Sequence, residues 1–168
     1  MASRREDLGS WLEGTPGEPS SGGGPGDDLP AEGTGSRAPL GRRVVGLVVD
    51  WMLSQAVAAQ FFPDPTSPAP GIFAADPTAT LAIFAASTAV LVSTLGFTIG
   101  HRLVGIRVVR LVDAGRRAET PGTAPRAPGV LAGVVRTVLL CLVIPAVVWD
   151  KQGRGMHDAA AGTVLVRR

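Results

Sequence analysis

Three long apolar stretches constrain this chain more than any other feature. They are Val44–Phe62, Thr78–Ile99 and Gly129–Val148, of 19, 22 and 20 residues. The first holds a single charge at Asp50, the second holds none, and the third holds only Arg136. About 20 helical residues cross the roughly 30 Å of hydrocarbon in a bilayer. A helix is also the one single-segment structure that satisfies its own backbone there. A helix of a soluble bundle would show a polar face at 3.6-residue spacing. Apart from threonines near its two ends, the second stretch offers Ser87, Thr88, Ser93 and Thr94. Charged residues are 18% of the chain, against about 25% in a soluble domain. The expected class is an all-α membrane protein.

Charge divides the 168 residues in two. In residues 1–36, Arg4 and Arg5 stand against Glu6, Asp7, Glu13, Glu18, Asp27, Asp28 and Glu32, a net of −5 that leaves +7 for residues 37–168. Gly, Pro and Ser dominate residues 14–36. A segment with so little apolar surface cannot offset its ordering entropy, so 1–36 reads as a disordered acidic tail and 37–168 as the membrane domain. The chain start has no apolar core of the kind a signal peptide carries. Leu8, Trp11 and Leu12 could form one surface-resting helical turn, but Gly9 and the short length favour no fixed structure.

Loop charges set an orientation. Arg37, Arg42 and Arg43 precede the first stretch, and Arg102, Arg107, Arg110, Arg116, Arg117 and Arg126 follow the second. Residues 63–77 between them carry only Asp64 and Asp76. The N-terminus and residues 100–128 are therefore expected in the cytoplasm, in a multi-pass plasma-membrane protein. Were the third stretch to cross, the basic tail with Lys151, Arg154, Arg167 and Arg168 would lie outside, against the same rule. Arg136 and Pro145 also interrupt that stretch, and a central Arg costs about 2.5–3.5 kcal/mol on insertion scales. The expectation is two transmembrane helices plus a third apolar helix that is re-entrant or interfacial, with three full spans as the alternative. Gly105-Ile-Arg-Val-Val-Arg110 and Gly162-Thr-Val-Leu-Val-Arg167 read as short strands after a glycine. Paired, they would form a small cytoplasmic β-ribbon.

A carboxylate within a span must be paired, protonated or wet. Arg43 precedes Asp50 by two helical turns, about 10.5 Å along the axis, which strains a direct pair. Arg43 is expected to reach the inner headgroups instead, and Asp50 to pair with Arg136. Asp50 is then either a proton or cation site or a fastener between helices. Gly96-xxx-Gly100 and Gly129-xxx-Gly133 allow close backbone approach, for which oligomerisation would be the functional use.

Soluble-enzyme signatures are missing from the sequence: no Walker loop, dinucleotide fingerprint, His-Glu-x-x-His or nucleophile elbow. The single Cys141 excludes a disulfide framework and multi-Cys metal sites. No cofactor, metal or catalytic residue is expected. His157-Asp158 reads as a local arrangement in which Asp158 caps a turn. Attraction to anionic lipid accounts for the basic loop without nucleic acid. Expected partners are the bilayer, a second copy or other membrane proteins.

Three segments carry a resemblance: Pro39-Leu-Gly-Arg-Arg-Val-Val-Gly-Leu-Val-Val-Asp50-Trp, Gly96-Phe-Thr-Ile-Gly-His-Arg-Leu-Val-Gly-Ile-Arg-Val-Val109 and Gly155-Met-His-Asp-Ala-Ala-Ala-Gly-Thr-Val-Leu-Val166. Together they resemble the RDD family of bacterial membrane proteins, named for one Arg and two Asp. By spacing, these fall on Arg43, Asp50 and Asp158, with Gly100, Arg102, His157 and Gly162 as supporting motif positions. Gly100-His-Arg102 stands where the family has Gly-Lys-Arg. The resemblance implies a core with two transmembrane helices. Transport, including cation/proton exchange, has been suggested for some members. The sequence thus leaves two functions: an accessory or organising membrane subunit, or an oligomeric cation/proton transporter with Asp50 as the titrating group.

Overall fold

The computed structural model describes residues 29, 30, 32–114, 126–142 and 156–168. Most of the acidic tail, including the Leu8–Leu12 segment, lies outside them. So do Arg116, Arg117, the end of the third apolar stretch with Pro145, and Lys151 and Arg154 of the basic tail. The elements bounded within the described residues are, in order, α1 (Leu40–Phe61), a 3-10 turn (Gly71–Ala74), α2 (Pro77–Leu95), α3 (Ile99–Leu103), β1 (Ile106–Arg110), α4 (Val130–Cys141), α5 (Met156–Ala160) and β2 (Thr163–Arg167).

The element boundaries have local causes. Pro63 cannot continue α1, since it has no N–H and its ring clashes with the preceding turn. Asp76 caps α2 by accepting from the Ala79 N–H at 2.7 Å, with Pro77 in the first turn. Gly96 ends the same helix at φ +76°, a left-handed conformation that favours glycine. The Gly96 carbonyl then accepts from the Val108 N–H at 2.7 Å, which seats β1 under the end of α2. Asp76 N–H donates to the Phe62 carbonyl at 2.9 Å and closes the α1–α2 hairpin.

Among the described residues, two helices, α1 and α2, are long and apolar enough to cross a membrane. At 1.5 Å per residue, the 22 and 19 residues of α1 and α2 extend about 33 and 28 Å. Their packing runs opposite to that of a soluble bundle. The buried positions of α1 are Gly41, Gly46, Ser54 and Ala58, while Val44, Leu47, Val48, Leu53, Val57 and Phe61 are exposed. In α2, Thr80 and Thr88 are buried with Phe84 and Val92, and Leu81 and Val90 are exposed. Water would penalise so large an apolar exterior; lipid would not. Trp51 of α1 meets the Phe84 ring edge-on at 5.5 Å.

α4 repeats the inversion. Gly133, Arg136 and Thr137 face the protein, whereas Val130, Leu131, Val134, Val138 and Leu142 are exposed. Its 12 described residues extend about 18 Å. It packs along α2, where a Cβ on Gly133 would collide with Ser93. The expected ribbon is present: β1 and β2 pair antiparallel, with Val108 opposite Leu165. Ile106, Val108 and Leu165 pack with Val92 and Ala38, and Val109, Val164 and Val166 form the other face with Ala114. The pairing draws in residues before α1. Ala38 N–H donates to the Leu165 carbonyl at 2.9 Å, and Gly35 N–H donates to that of Arg167 at 2.9 Å. The last part of the sequence assigned to the tail is thus joined to the ribbon. The start of α1, the end of α2, the ribbon and the C-terminus all gather at one end of the helix hairpin.

Candidate functional site

At that end, α3 turns across α1. Thr98 opens α3 with a reciprocal cap: its hydroxyl accepts from the His101 N–H at 3.1 Å, and His101 Nδ1 accepts from the Thr98 N–H at 3.3 Å. The Thr98 hydroxyl donates to Asp50 Oδ2, and the Gly100 N–H donates to Asp50 Oδ1 at 2.7 Å. The carboxylate therefore closes the first turn of α3 from another helix. Gly100 is what permits the approach. A Cβ there would lie 2.8 Å from Asp50 Oδ2 and nearer still to the Gly46 carbonyl oxygen.

The expected pair between Asp50 and Arg136 does not form. Arg136 instead pairs with Asp158, and both are buried, at 3% and 1% exposure. The reason is geometric. Arg136 lies on the α4 face that meets α5, while the α3 turn brings two hydrogen-bond donors directly to Asp50. Asp158 is likewise no cap at the start of a turn. It sits inside α5, and its Oδ1 also receives the Thr163 hydroxyl at 3.3 Å. The ion pair thus ties α4 to the α5–β2 corner.

Arg43 is half-buried, and its Nε donates to the Ala38 carbonyl at 2.8 Å. Between it and Arg136 lies a pocket of about 90 Å³, bordered also by His101 and His157. Leu47 of α1 and Leu140 of α4 supply apolar wall. Burial, followed by the positive field of Arg136, Arg43 and His157, pushes the His101 pKa down to about 3. With Nδ1 already accepting a hydrogen bond, His101 is a neutral ring that fixes α3. His157 Nε2 lies 3.7 Å from Asp158 Oδ2. Of the supporting positions, Arg102 stacks over the Phe97 ring at 5.5 Å, and Gly162 turns the chain into β2 at φ +61°.

Within the chain these glycines serve close packing: Gly100 meets Gly46 and Asp50, Gly133 meets Ser93, and Gly96 is a helix stop. Sequence reasoning missed Thr98 and His101 as partners in the site. A threonine between a helix-stopping glycine and a new short helix was the available signal. Among the described residues, no cluster of three His, Cys, Asp or Glu is placed to hold a metal.

These features define a helix hairpin with an apolar exterior, one end of which is locked by buried acid and base groups to a β-ribbon. The RDD family model matches residues 37–162, and the chain belongs to the RDD family. Family membership and the two long apolar helices together mark a membrane protein. No curated protein and no solved structure matches the chain.

Proposed function

We propose that the chain is a small accessory or organising protein of the bacterial plasma membrane, crossing it twice and catalysing no reaction. One observation carries this reading: both intramembrane charges named in the sequence are spent inside the fold. Asp50 holds Thr98 and Gly100, and Arg136 holds Asp158. Each serves as a fastener between segments rather than as a carrier waiting for an ion. Two spans are also too few to enclose a water-filled path. What the fasteners secure is a ribbon platform at one end of the hairpin, suited to meeting another membrane protein.

The orientation follows from charge. Arg37, Arg42, Arg102, Arg107 and Arg168 belong to the ribbon end, while the opposite loop carries Asp64 and Asp76. The ribbon end and both termini are therefore cytoplasmic, and α4 lies at the inner interface with its Leu131 face in lipid. Cysteines placed at Thr34, at Thr66 and after Arg168, with Cys141 replaced by Ala, test this in intact cells. Thr66 should label from outside and the others only after permeabilisation; external labelling beyond Arg168 would end the two-span topology. The role itself is tested by pH-driven cation flux in vesicles. The accessory reading expects no flux from the parent or from Asp50→Asn. Flux that Asp50→Asn abolishes without loss of assembly would establish the transporter instead.

A further inference from the structure

The pocket beside the ion pair has a composition that its fastening role does not require. Arg43 and Arg136 line it with the rings of His101 and His157, and among the described residues no acidic side chain lines it. Asp158 stands behind, on Arg136. A guanidinium has five N–H donors in a planar fork, so one that already holds a partner can serve a second. The remaining walls are apolar. Val44 and Leu47 line the pocket and are themselves exposed, so it opens onto the outer face of α1 that Val48 continues. Its volume is about 90 Å³. That has room for a phosphoryl group.

We propose that this pocket binds the phosphate of one anionic phospholipid, held by Arg43 and Arg136, with an acyl chain leaving along Val44 and Leu47. A soluble anion would engage the guanidinium groups and leave the leucine walls wet; a lipid fills both. The depth agrees. Arg43 lies one turn inside α1, at the end where the other arginines gather, which is headgroup level for a helix entering from that side. The proposal depends on the bilayer placement argued above, and not on whether the protein transports anything. The lipid would brace α1 against α4 and α5, making the ribbon platform sensitive to membrane composition.

The test uses the full chain in neutral detergent at fixed ionic strength, with thermal unfolding followed by fluorescence. Phosphatidylglycerol should raise the unfolding temperature saturably. Phosphatidylcholine and inorganic phosphate should not. Arg43→Gln removes a donor, and Leu47→Trp fills the apolar mouth while keeping every charge. Each should raise the phosphatidylglycerol midpoint about tenfold, equal to about 1.4 kcal/mol. Arg168→Gln, at the C-terminal residue stacked on Phe97 outside the pocket, should leave the midpoint unchanged. If Arg168→Gln weakens binding as much as Arg43→Gln, the attraction is diffuse and the site is overturned. An equal response to inorganic phosphate, or no effect of Leu47→Trp, overturns it as well. Should Arg43→Gln fail to fold, Leu47→Trp decides alone. Loss of the lipid effect with the labelling pattern intact removes the pocket proposal and leaves the topology standing.

Discussion

Replacing Asp50 by Leu is the sharpest test of what that carboxylate does. It receives the Thr98 hydroxyl and the Gly100 N–H, the latter at 2.7 Å. Leucine removes both acceptors and leaves two donors at a crossing too tight for water, since even one added methyl at Gly100 would collide with α1. An orphaned buried donor costs about 1–3 kcal/mol, so the substitution should destabilise by roughly 2–5 kcal/mol. For a chain of this size that lowers the unfolding temperature by about 10 °C. Asp50→Asn keeps one carbonyl acceptor for the Gly100 N–H and should lose about 1 kcal/mol. The assay is thermal unfolding in detergent, with retained helicity checked by circular dichroism. If Asp50→Leu unfolds within a degree of the parent, the carboxylate is no fastener and the account of the helix crossing is wrong. If Asp50→Asn is as damaging as Asp50→Leu, the charge itself matters, and the titrating-site reading regains ground.

Three further outcomes are expected. Arg136→Leu should cost about 3–5 kcal/mol by stranding the buried Asp158. Arg136→Leu with Asp158→Leu should recover much of that loss, whereas Arg136→Leu and Asp50→Leu should add independently within about 0.5 kcal/mol in a double-mutant cycle. Gly100→Ala, which drives a Cβ into the Gly46 carbonyl and Asp50, should abolish folding or lower the unfolding temperature beyond Asp50→Leu. The last outcome concerns acid. His101 has an ordinary value of 6.5 and a folded value near 3, so the unfolded chain binds more protons between these limits. Stability is then full above pH 6.5 and falls by about 1.4 kcal/mol per pH unit down toward 3. Arg43, Arg136 and His157 face the same ring, and Asp50 reaches it through Thr98. His101→Gln, which keeps an acceptor for the helix cap, should flatten the acid limb of an unfolding-temperature profile. An unchanged profile would show that His101 is not the group responsible.

Much of the fold was legible in one dimension. The apolar length of α1 and α2, the Asp76-Pro77 start and the Gly96 stop are local signals. So are the β-branched runs after Gly105 and Gly162. Each depends on backbone geometry and hydration within a few residues, which the sequence states directly.

Charge pairing was not legible. Asp50 and Arg136 are each the lone charge in an apolar run, but a run does not say which way a side chain points. One residue turns a helix by about 100°, so a partner is chosen by helix rotation and by the angle at which helices cross. Those angles came from contacts far apart in the chain: Gly46 against Gly100, and Gly133 against Ser93. Close approach at these glycines put the first turn of α3 onto Asp50 and turned Arg136 toward Asp158. The sequence determined that this chain would build helices for lipid and a ribbon beside them. Only the packing of those helices decided which buried charge meets which, because that depends on distances no local signal encodes.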